Sequence, residues 1–120
     1  MSHIVTIKTE VRDHAAVVAA CRRLALPEPV QGTAEIYSGQ ATGLLVKLPG
    51  WLYPAVIDTL TGTVRYDTFQ GHWGDEFHLQ KFLQRYAVEI TKIEGNRRGH
   101  TVTEQQLDNG SIRLQIAEVA

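Results

Sequence analysis

Apolar residues recur at steps of three and four between residues 75 and 94, which is the pattern of one face of an amphipathic α-helix. Asp75 suits the N-cap, because its carboxylate can accept a backbone N–H of the first turn. Gly95 can end the helix in a left-handed conformation without a steric cost. The sequence therefore predicts a long helix around which the rest of the chain is organised. Its apolar positions are Leu79, Phe82, Leu83, Tyr86, Ala87, Ile90 and Ile93.

A second, shorter helix is predicted from residue 14 to residue 25. Asp13 is its expected N-cap, and Pro27 and Pro29 prevent its continuation. Arg22 and Arg23 lie in the last turn, where positive charge is favourable to the helix dipole. The expected buried stripe is Val17, Ala20, Cys21 and Leu24.

The remaining segments alternate or are rich in β-branched residues, as strands are. The predicted strands are residues 3–9, 33–37, 41–48, 53–59, 63–68, 101–106 and 111–117. The nearly continuous apolar run around Leu44 is typical of an interior strand. Asn109-Gly110 predicts a type I′ turn between the last two strands, because both residues tolerate positive φ.

The element order is therefore β-α-β-β-β-β-α-β-β. It favours an α+β fold in a single domain covering residues 1–120, with an antiparallel or mixed sheet and both helices on one face. The first strand, helix and following hairpin are also compatible with a ferredoxin-like split β-α-β unit.

Composition narrows the classes of function. Twelve basic and thirteen acidic residues give a net charge of −1, so no net field favours nucleic acid or anionic lipid. The single cysteine, Cys21, excludes an intrachain disulfide. No apolar run approaches the roughly 20 residues of a membrane span, and the N-terminus lacks the apolar segment of a signal peptide. We expect a protein of the cytoplasm, or of an organelle stroma that makes its own proteins.

Three segments resemble a known family. They are residues 1–9 followed by Asp13, residues 84–87 (Gln-Arg-Tyr-Ala), and residues 109–114 (Asn-Gly-Ser-Ile-Arg-Leu). In this order they are similar to the hypothetical chloroplast open reading frame thirty-five family, domain of unknown function twelve fifty-seven, which occurs in some algal plastids, cyanobacteria and other bacteria. The resemblance implies a fold and a non-secreted setting, and it implies no activity. Bacterial relatives tend to be encoded near an AAA-type ATPase, which implies a role in a protein complex.

Aromatic residues surround the predicted central hairpin. Aromatic side chains are enriched at the anchor positions of interfaces, so an exposed partner-binding patch is one interpretation. The alternative is that the rings close the core between the sheet and the helices. The residues are Trp51, Tyr53, Phe69 and Trp73.

Positive charges along the long helix and beyond it suggest a second kind of surface. Basic grooves follow phosphates while aromatic rings stack bases, so a single-stranded nucleic-acid surface is outlined by these charges together with Trp51, Tyr53, Tyr66 and Trp73. The alternative is a solvated helix face, on which Glu89 pairs with Arg85 at i, i+4. The basic residues are Lys81, Arg85, Lys92, Arg97 and Arg98.

One short cluster has metal-ligating residue types. Asp75 and His78 are three residues apart at a helix start, and His72 can approach from the preceding loop. Imidazole and carboxylate ligands bind zinc or iron. The alternative is that Asp75 caps the helix and the two histidines are surface residues.

No constellation of catalytic residues stands out. Cys21 lies late in its helix on the apolar stripe, where the dipole raises rather than lowers the pKa of a thiol, so an inert core cysteine is favoured. No Gly-x-Ser-x-Gly elbow or phosphate-binding loop is present. The sequence therefore predicts no cofactor.

The consecutive residues Gln84, Arg85 and Tyr86 suggest a fixed polar contact from the middle of the long helix. Tyr86 lies on the apolar stripe, so its hydroxyl needs a hydrogen-bond partner. The strand that holds His3 and Lys8 is one such partner, and a role in packing explains the motif as well as a role in binding.

The leading hypothesis is a small non-catalytic binding or assembly module in a protein complex, with an AAA-type ATPase as one partner. The binding residues chosen for it are Trp51, Tyr53, Trp73, Arg85, Arg97 and Arg98. A single-stranded nucleic-acid binding protein is the alternative. A metal-dependent enzyme using His72, Asp75 and His78 is the third hypothesis.

Overall fold

The computed structural model describes residues 5–8, 10–36, 39–68 and 71–118. These residues form an α+β fold, and the order of strands and helices is the predicted one. Three predicted strand ends, at residues 3–4, 9 and 37, and the aromatic residue Phe69 lie outside the described residues. The elements are β1 (Val5–Lys8), α1 (His14–Arg23), β2 (Val30–Ile36), β3 (Gly39–Val46), β4 (Ala55–Asp58), β5 (Thr63–Tyr66), α2 (Glu76–Arg97), β6 (His100–Gln106) and β7 (Ile112–Glu118).

The first five strands form one sheet in the order β1-β5-β4-β3-β2, and every neighbouring pair is antiparallel. The antiparallel alternative of the prediction is therefore the correct one. β3 lies between β4 and β2, as expected of an interior strand. Across the sheet, Leu44 pairs with Ile57 and Ile57 pairs with Val64, which places a row of apolar side chains on one face.

The ferredoxin-like part of the prediction differs from the structure. In a split β-α-β unit, one strand separates the two parallel strands that flank the helix. Here β1 and β2 are also parallel, but β5, β4 and β3 all lie between them. Consecutive strands from β2 to β5 are neighbours in the sheet, so these strands form a meander, and β1 is added at its far edge.

Both helices pack on the same face of the sheet, as predicted. The main core cluster contains Val17 and Cys21 of α1, Phe82 and Tyr86 of α2, and apolar residues of β3, β4 and β5 such as Leu44. A smaller cluster around Val56 lies apart from it, together with Ile36, Ala41 and the partly buried Leu45 and Tyr53. Since Leu44 and Leu45 are successive strand residues, the two clusters occupy opposite faces of the sheet.

Both N-caps are the predicted aspartates. The Asp13 side chain accepts a hydrogen bond from the backbone N–H of Ala16, and the Asp75 side chain accepts one from Phe77. The end of α2 differs from the prediction, because the helix continues through Gly95 to Arg97. The left-handed glycine that follows it is Gly99, with φ of 77°.

The last two strands form a separate two-stranded sheet, called the ribbon here, which packs mainly on α2. The predicted type I′ turn is wrong, because Asn109 does not have a positive φ. The backbone N–H of Gly110 donates to Leu107 and that of Leu107 to Ser111, and Gly110 has φ of 87°. This is a three-residue loop whose last residue is left-handed.

The molecule is elongated, with principal extents of 54 × 32 × 23 Å. Its radius of gyration is 15.3 Å, whereas a compact domain of this length has one of about 13.6 Å. Neither helix in the described residues is long and apolar enough to cross a membrane.

Candidate functional site

Three consecutive residues in the middle of α2 hold different parts of the chain. The Tyr86 hydroxyl accepts hydrogen bonds from the backbone N–H groups of Arg12 and Asp13, at 3.2 Å each. The Gln84 side-chain amide donates to the carbonyl of Gly110 at 3.0 Å, which fixes the tip of the ribbon. The Tyr86 hydroxyl has hydrogen-bond partners, as expected, but those described lie in the β1–α1 connection and not in the strand suggested from the sequence.

Arg85 belongs to a charge cluster of Arg23, Arg85, Glu89, Lys92 and Glu104, which joins α1, α2 and β6. Arg85 contacts Glu104 at 2.9 Å and Glu89 at 3.4 Å, and Lys92 contacts Glu104 at 2.6 Å. The hydrogen bond from Lys92 holds the pKa of Glu104 below its ordinary value. The hydrogen bond from Arg85 and the charges of Arg85 and Lys92 lower this pKa further, whereas burial opposes them. Glu89, only 6% exposed, faces three cations.

The charge cluster changes the interpretation of the basic helix face. Arg85 and Lys92 are both engaged by carboxylates, so their charges are largely neutralised. Lys81 lies 5.6 Å from the centre of the Phe77 ring. In the described part of the chain, no carboxylate lies within ion-pair distance of Arg97 or Arg98, and both are exposed. These two arginines are the accessible part of the predicted basic surface.

Trp51 packs against the main core at the start of α2. Its indole N–H donates to the carbonyl of Asp75 at 3.0 Å, and its ring centre lies 5.6 Å from that of Tyr66. A Cβ on Gly74 would lie 2.7 Å from the Trp51 ring, so the glycine permits this close packing. Trp51 therefore connects the loop before β4 to the N-terminus of α2.

Tyr53 and Trp73 form a separate aromatic pair. Their ring centres are 5.5 Å apart at an interplanar angle of 82°, an edge-to-face contact. Tyr53 packs against the Val56 cluster, whereas Trp51 packs against the main core. The three aromatic residues chosen from the sequence are therefore divided between the two faces of the sheet.

The chosen aromatic residues lie near the start of α2, Arg85 lies in its middle, and Arg97 and Arg98 lie at its end. Trp51 contacts Asp75 at its start, and Arg97 and Arg98 lie at its end. At 1.5 Å per residue, 22 helical residues span about 33 Å. These residues form two distant surfaces and not one site.

His72, Asp75 and His78 do not converge as metal ligands. Asp75 caps α2, and the His78 ring contacts the ring of Phe77 with their centres 5.6 Å apart. His72 is exposed in the preceding loop. Across the described ranges, no three His, Cys, Asp or Glu side chains form a group that could hold a metal ion.

Two buried groups have raised pKa values. Burial and, to a smaller extent, the charge of Glu28 raise the pKa of Cys21 to about 11. Burial, followed by the charge of Glu76 and its hydrogen bond, raises the pKa of Tyr66 to about 12. Both groups are neutral at physiological pH, and neither is activated as a nucleophile or base.

The ribbon leaves apolar surface exposed beside α2. The register of the ribbon places Glu104, Leu114 and Ile116 on the side of the ribbon that faces α2. Ile116 is nevertheless 53% exposed. Beside Ile116 is a depression of about 110 Å³, lined by Thr91, Glu94, Gly95, Arg98, His100 and Ile116. At the ribbon tip is another of about 340 Å³, lined by Phe77, Gln80, Lys81, Gln84, Asn109, Gly110 and Ser111.

The sequence predicted the alternation of the last strand but not its exposure. The apolar residues Ile112, Leu114 and Ile116, called the β7 row here, alternate along the strand and lie on one side of the ribbon by register. Sequence periodicity shows which side of a strand is apolar, and it does not show whether another element covers that side.

Comparison with known proteins agrees with the family resemblance. Uncharacterized protein ycf35 of Guillardia theta is 29% identical to this chain over 125 aligned residues, covering 97% of the chain and 96% of that protein. No family model matches the chain, and no solved structure matches it.

The segments that carry the resemblance are in contact in the structure. Gln84 and Tyr86 bind the Gly110 turn and the Asp13 cap, so residues from all three segments meet at α2. The similarity along nearly the whole chain confirms the resemblance to the hypothetical chloroplast open reading frame thirty-five family.

Proposed function

We propose that the protein is a small non-catalytic binding or assembly module that acts in a protein complex. The observation that carries this proposal is the ribbon, which extends along α2 with most of its residues exposed. A two-stranded ribbon offers unpaired backbone groups along its edges, and extended segments of other chains bind such edges.

The arginines at the end of α2 lie beside the ribbon and extend the proposed contact surface. Arg98 lines one depression with Ile116, and Arg97 and Arg98 directly precede β6. An apolar strand edge beside an accessible pair of arginines suits a protein partner that presents apolar and acidic side chains. The proposed contact surface is therefore Arg97, Arg98 and the ribbon.

The aromatic residues contribute less to the proposal. Trp51 and Tyr53 are half-buried and engaged in packing. Beside them Leu52 is 60% exposed, so a second contact at this end of the molecule would centre on Leu52. An AAA-type ATPase as the partner rests on the family resemblance alone. The proposed cytoplasmic or stromal location rests on that resemblance together with the composition of the sequence.

The test is purification of the tagged protein from its native host after mild cross-linking, followed by mass spectrometry. We expect a stoichiometric protein partner with the native chain, and loss of that partner from an Arg97→Glu/Arg98→Glu variant. Lys47→Glu, an exposed change of the same kind at the end of β3, is the matched control and should retain it. Recovery of this chain without any other protein would contradict the proposal.

Single-stranded nucleic acid is a weaker candidate. Engagement of Arg85 and Lys92 by Glu104 leaves Arg97 and Arg98 as the accessible arginines of the predicted basic surface. Phosphate binding releases counterions, so a nucleic-acid binder loses affinity steeply as salt rises. Fluorescence anisotropy with labelled single-stranded RNA at 50 and 200 mM salt distinguishes the two functions, and we expect no salt-dependent binding.

A further inference from the structure

The free edge of β7 is an open, regular strand edge with an apolar side. We propose that a second copy of the chain pairs antiparallel with this edge, centred on Leu114, so that two ribbons join into one four-stranded sheet. This inference rests on the proposed assembly function and names the first partner of its surface.

Among the described strands β7 pairs with β6 alone, and its other edge is open. Natural proteins protect open edges with prolines, lysines, bulges or covering loops. β7 has the sequence Ile-Arg-Leu-Gln-Ile-Ala-Glu and pairs with β6 over seven consecutive residues without a bulge. This long, regular edge has little protection against pairing.

α2 lies mainly under β6 and leaves the β7 row only partly covered. A Cβ on Gly95 would lie 2.6 Å from Val102 Cγ2, and Glu104 is bound by Arg85 and Lys92, so these contacts involve β6. Ile116, opposite Val102 on the same side, is more than half exposed. The space beside α2 and below β7 is therefore open to another chain.

The β7 row is complementary to itself. In an antiparallel pair centred on Leu114, Ile112 lies opposite the partner's Ile116, and Leu114 opposite the partner's Leu114. On the other side Arg113 lies opposite the partner's Gln115, so no like charges face each other. All three inner pairs are apolar, and a register shifted to Gln115 would oppose Ile112 with the partner's Glu118.

The joined sheet also leaves room for both copies of α2. Three strand spacings of about 4.8 Å place β6 about 14 Å from the partner's β6. Packed helices need about 8–10 Å between their axes, so two helices can lie side by side below the joined rows. A second copy thus covers Ile116 without displacing α2.

The first test measures the molar mass of the purified full chain across concentrations by light scattering. We expect a dimer for the native chain and, for Ile116→Lys, a dissociation constant raised at least ~30-fold, because symmetry introduces two unpaired charges into the apolar row. Val30→Lys is the matched control, since Val30 is 62% exposed at the edge strand β2. Its dimer should be unchanged.

The second test examines the register by disulfide formation. Directly opposed residues have Cα atoms about 4.5–5.5 Å apart, within the range of a disulfide. Leu114→Cys should therefore form a covalent dimer under mild oxidation. Gln115→Cys, opposite the partner's Arg113, should cross-link far more slowly. Cys21, which is buried, does not compete.

The outcomes separate this inference from the proposed function. A native chain that remains monomeric at high micromolar concentration overturns the dimer, and so does equal cross-linking of the two cysteine variants. If the tagged protein purified from its native host still recovers another protein, and the Arg97→Glu/Arg98→Glu variant does not, the assembly function stands without the dimer. A stable dimer with no other protein from the host would instead support the inference and contradict the wider role.

Discussion

At the scale of single residues, the Tyr86 side chain joins the middle of α2 to the segment that precedes α1. Its hydroxyl accepts from the N–H groups of Arg12 and Asp13, which are more than seventy positions away in sequence. The Asp13 carboxylate in turn caps α1 through Ala16. One phenol therefore positions the start of α1 against the middle of α2.

Replacement of Tyr86 by phenylalanine tests this contact. We expect Tyr86→Phe to lower the free energy of unfolding by about 1–2 kcal/mol, because two part-buried N–H groups lose their acceptor. Urea unfolding followed by circular dichroism measures the change. Tyr53→Phe is the matched control, and a loss as large as that of Tyr86→Phe would indicate a general effect of removing a phenol.

Gly74 is a second residue whose identity the packing determines. A Cβ at this position would approach three atoms of the Trp51 ring to within 2.8 Å. The ring cannot move away freely, since it is hydrogen-bonded to Asp75 and packed on Tyr66. We expect Gly74→Ala to destabilise the fold by about 1–3 kcal/mol through overpacking, as measured by urea unfolding.

Gly32→Ala is the control for Gly74→Ala, because a Cβ there meets only Leu45 Cδ1 at 3.6 Å, an ordinary contact. Its effect should be within about 0.5–1 kcal/mol, the ordinary range for glycine in a strand. An unchanged stability of Gly74→Ala would show that Trp51 is not held as described.

At the scale of elements, the ribbon is held to α2 by a small number of identifiable contacts. Gln84 binds its tip, Glu104 is bound by Arg85 and Lys92, and Gly95 admits Val102. Isolated two-stranded ribbons are marginally stable, so these contacts determine whether the ribbon is ordered.

The charge cluster makes ribbon docking dependent on pH. The folded-state pKa of Glu104 is lowered from its ordinary value of 4.5. A lowered folded pKa contributes stability that is complete above the unfolded value and is lost as pH falls through the folded value. We therefore expect hydrogen exchange in β6 and β7 to accelerate below about pH 4.5, once corrected for intrinsic rates, before exchange in the main sheet does.

Glu104→Gln separates this cause from general acid effects. The variant should show faster exchange of the ribbon at neutral pH and a weaker dependence on pH below about 4.5, because its side chain no longer titrates. Glu118→Gln, at the exposed far end of β7, is the control. An unchanged ribbon in Glu104→Gln would contradict the role given to the charge cluster.

The helices were the most predictable elements, because periodicity and capping are local signals. Both aspartate caps were correct, whereas the end of α2 was placed at Gly95 and lies at Arg97. Gly95 is buried within the helix because Val102 occupies the space of its side chain. A glycine required by a distant neighbour looks the same in sequence as one that ends a helix. The same limit applies to Trp51 and Tyr53, whose spacing did not show that they pack on opposite faces of the sheet.

At the scale of the whole molecule, α2 packs against both the main core and the ribbon. The main core contains α1, α2 and residues of the five-stranded sheet, and none of its described members belongs to β6 or β7. The opposite side of α2 carries the ribbon, which accounts for the elongated shape. The proposed contact surface is therefore built on an element that the core already holds in place.

This division predicts that the core folds without the ribbon. A chain ending at Gly99 should lose a few kcal/mol of stability, since it exposes the part of α2 at Gly95 on which Val102 of β6 packs. Cys21 reports on the core independently, because it is completely buried and its pKa is raised to about 11. A thiol reagent at pH 8 should leave Cys21 unmodified in both chains and modify it in urea. Rapid labelling of Cys21 in the shortened chain without denaturant would show that the ribbon and the core form one cooperative unit. The ribbon would then be a structural part of the fold and not an appendage available for assembly.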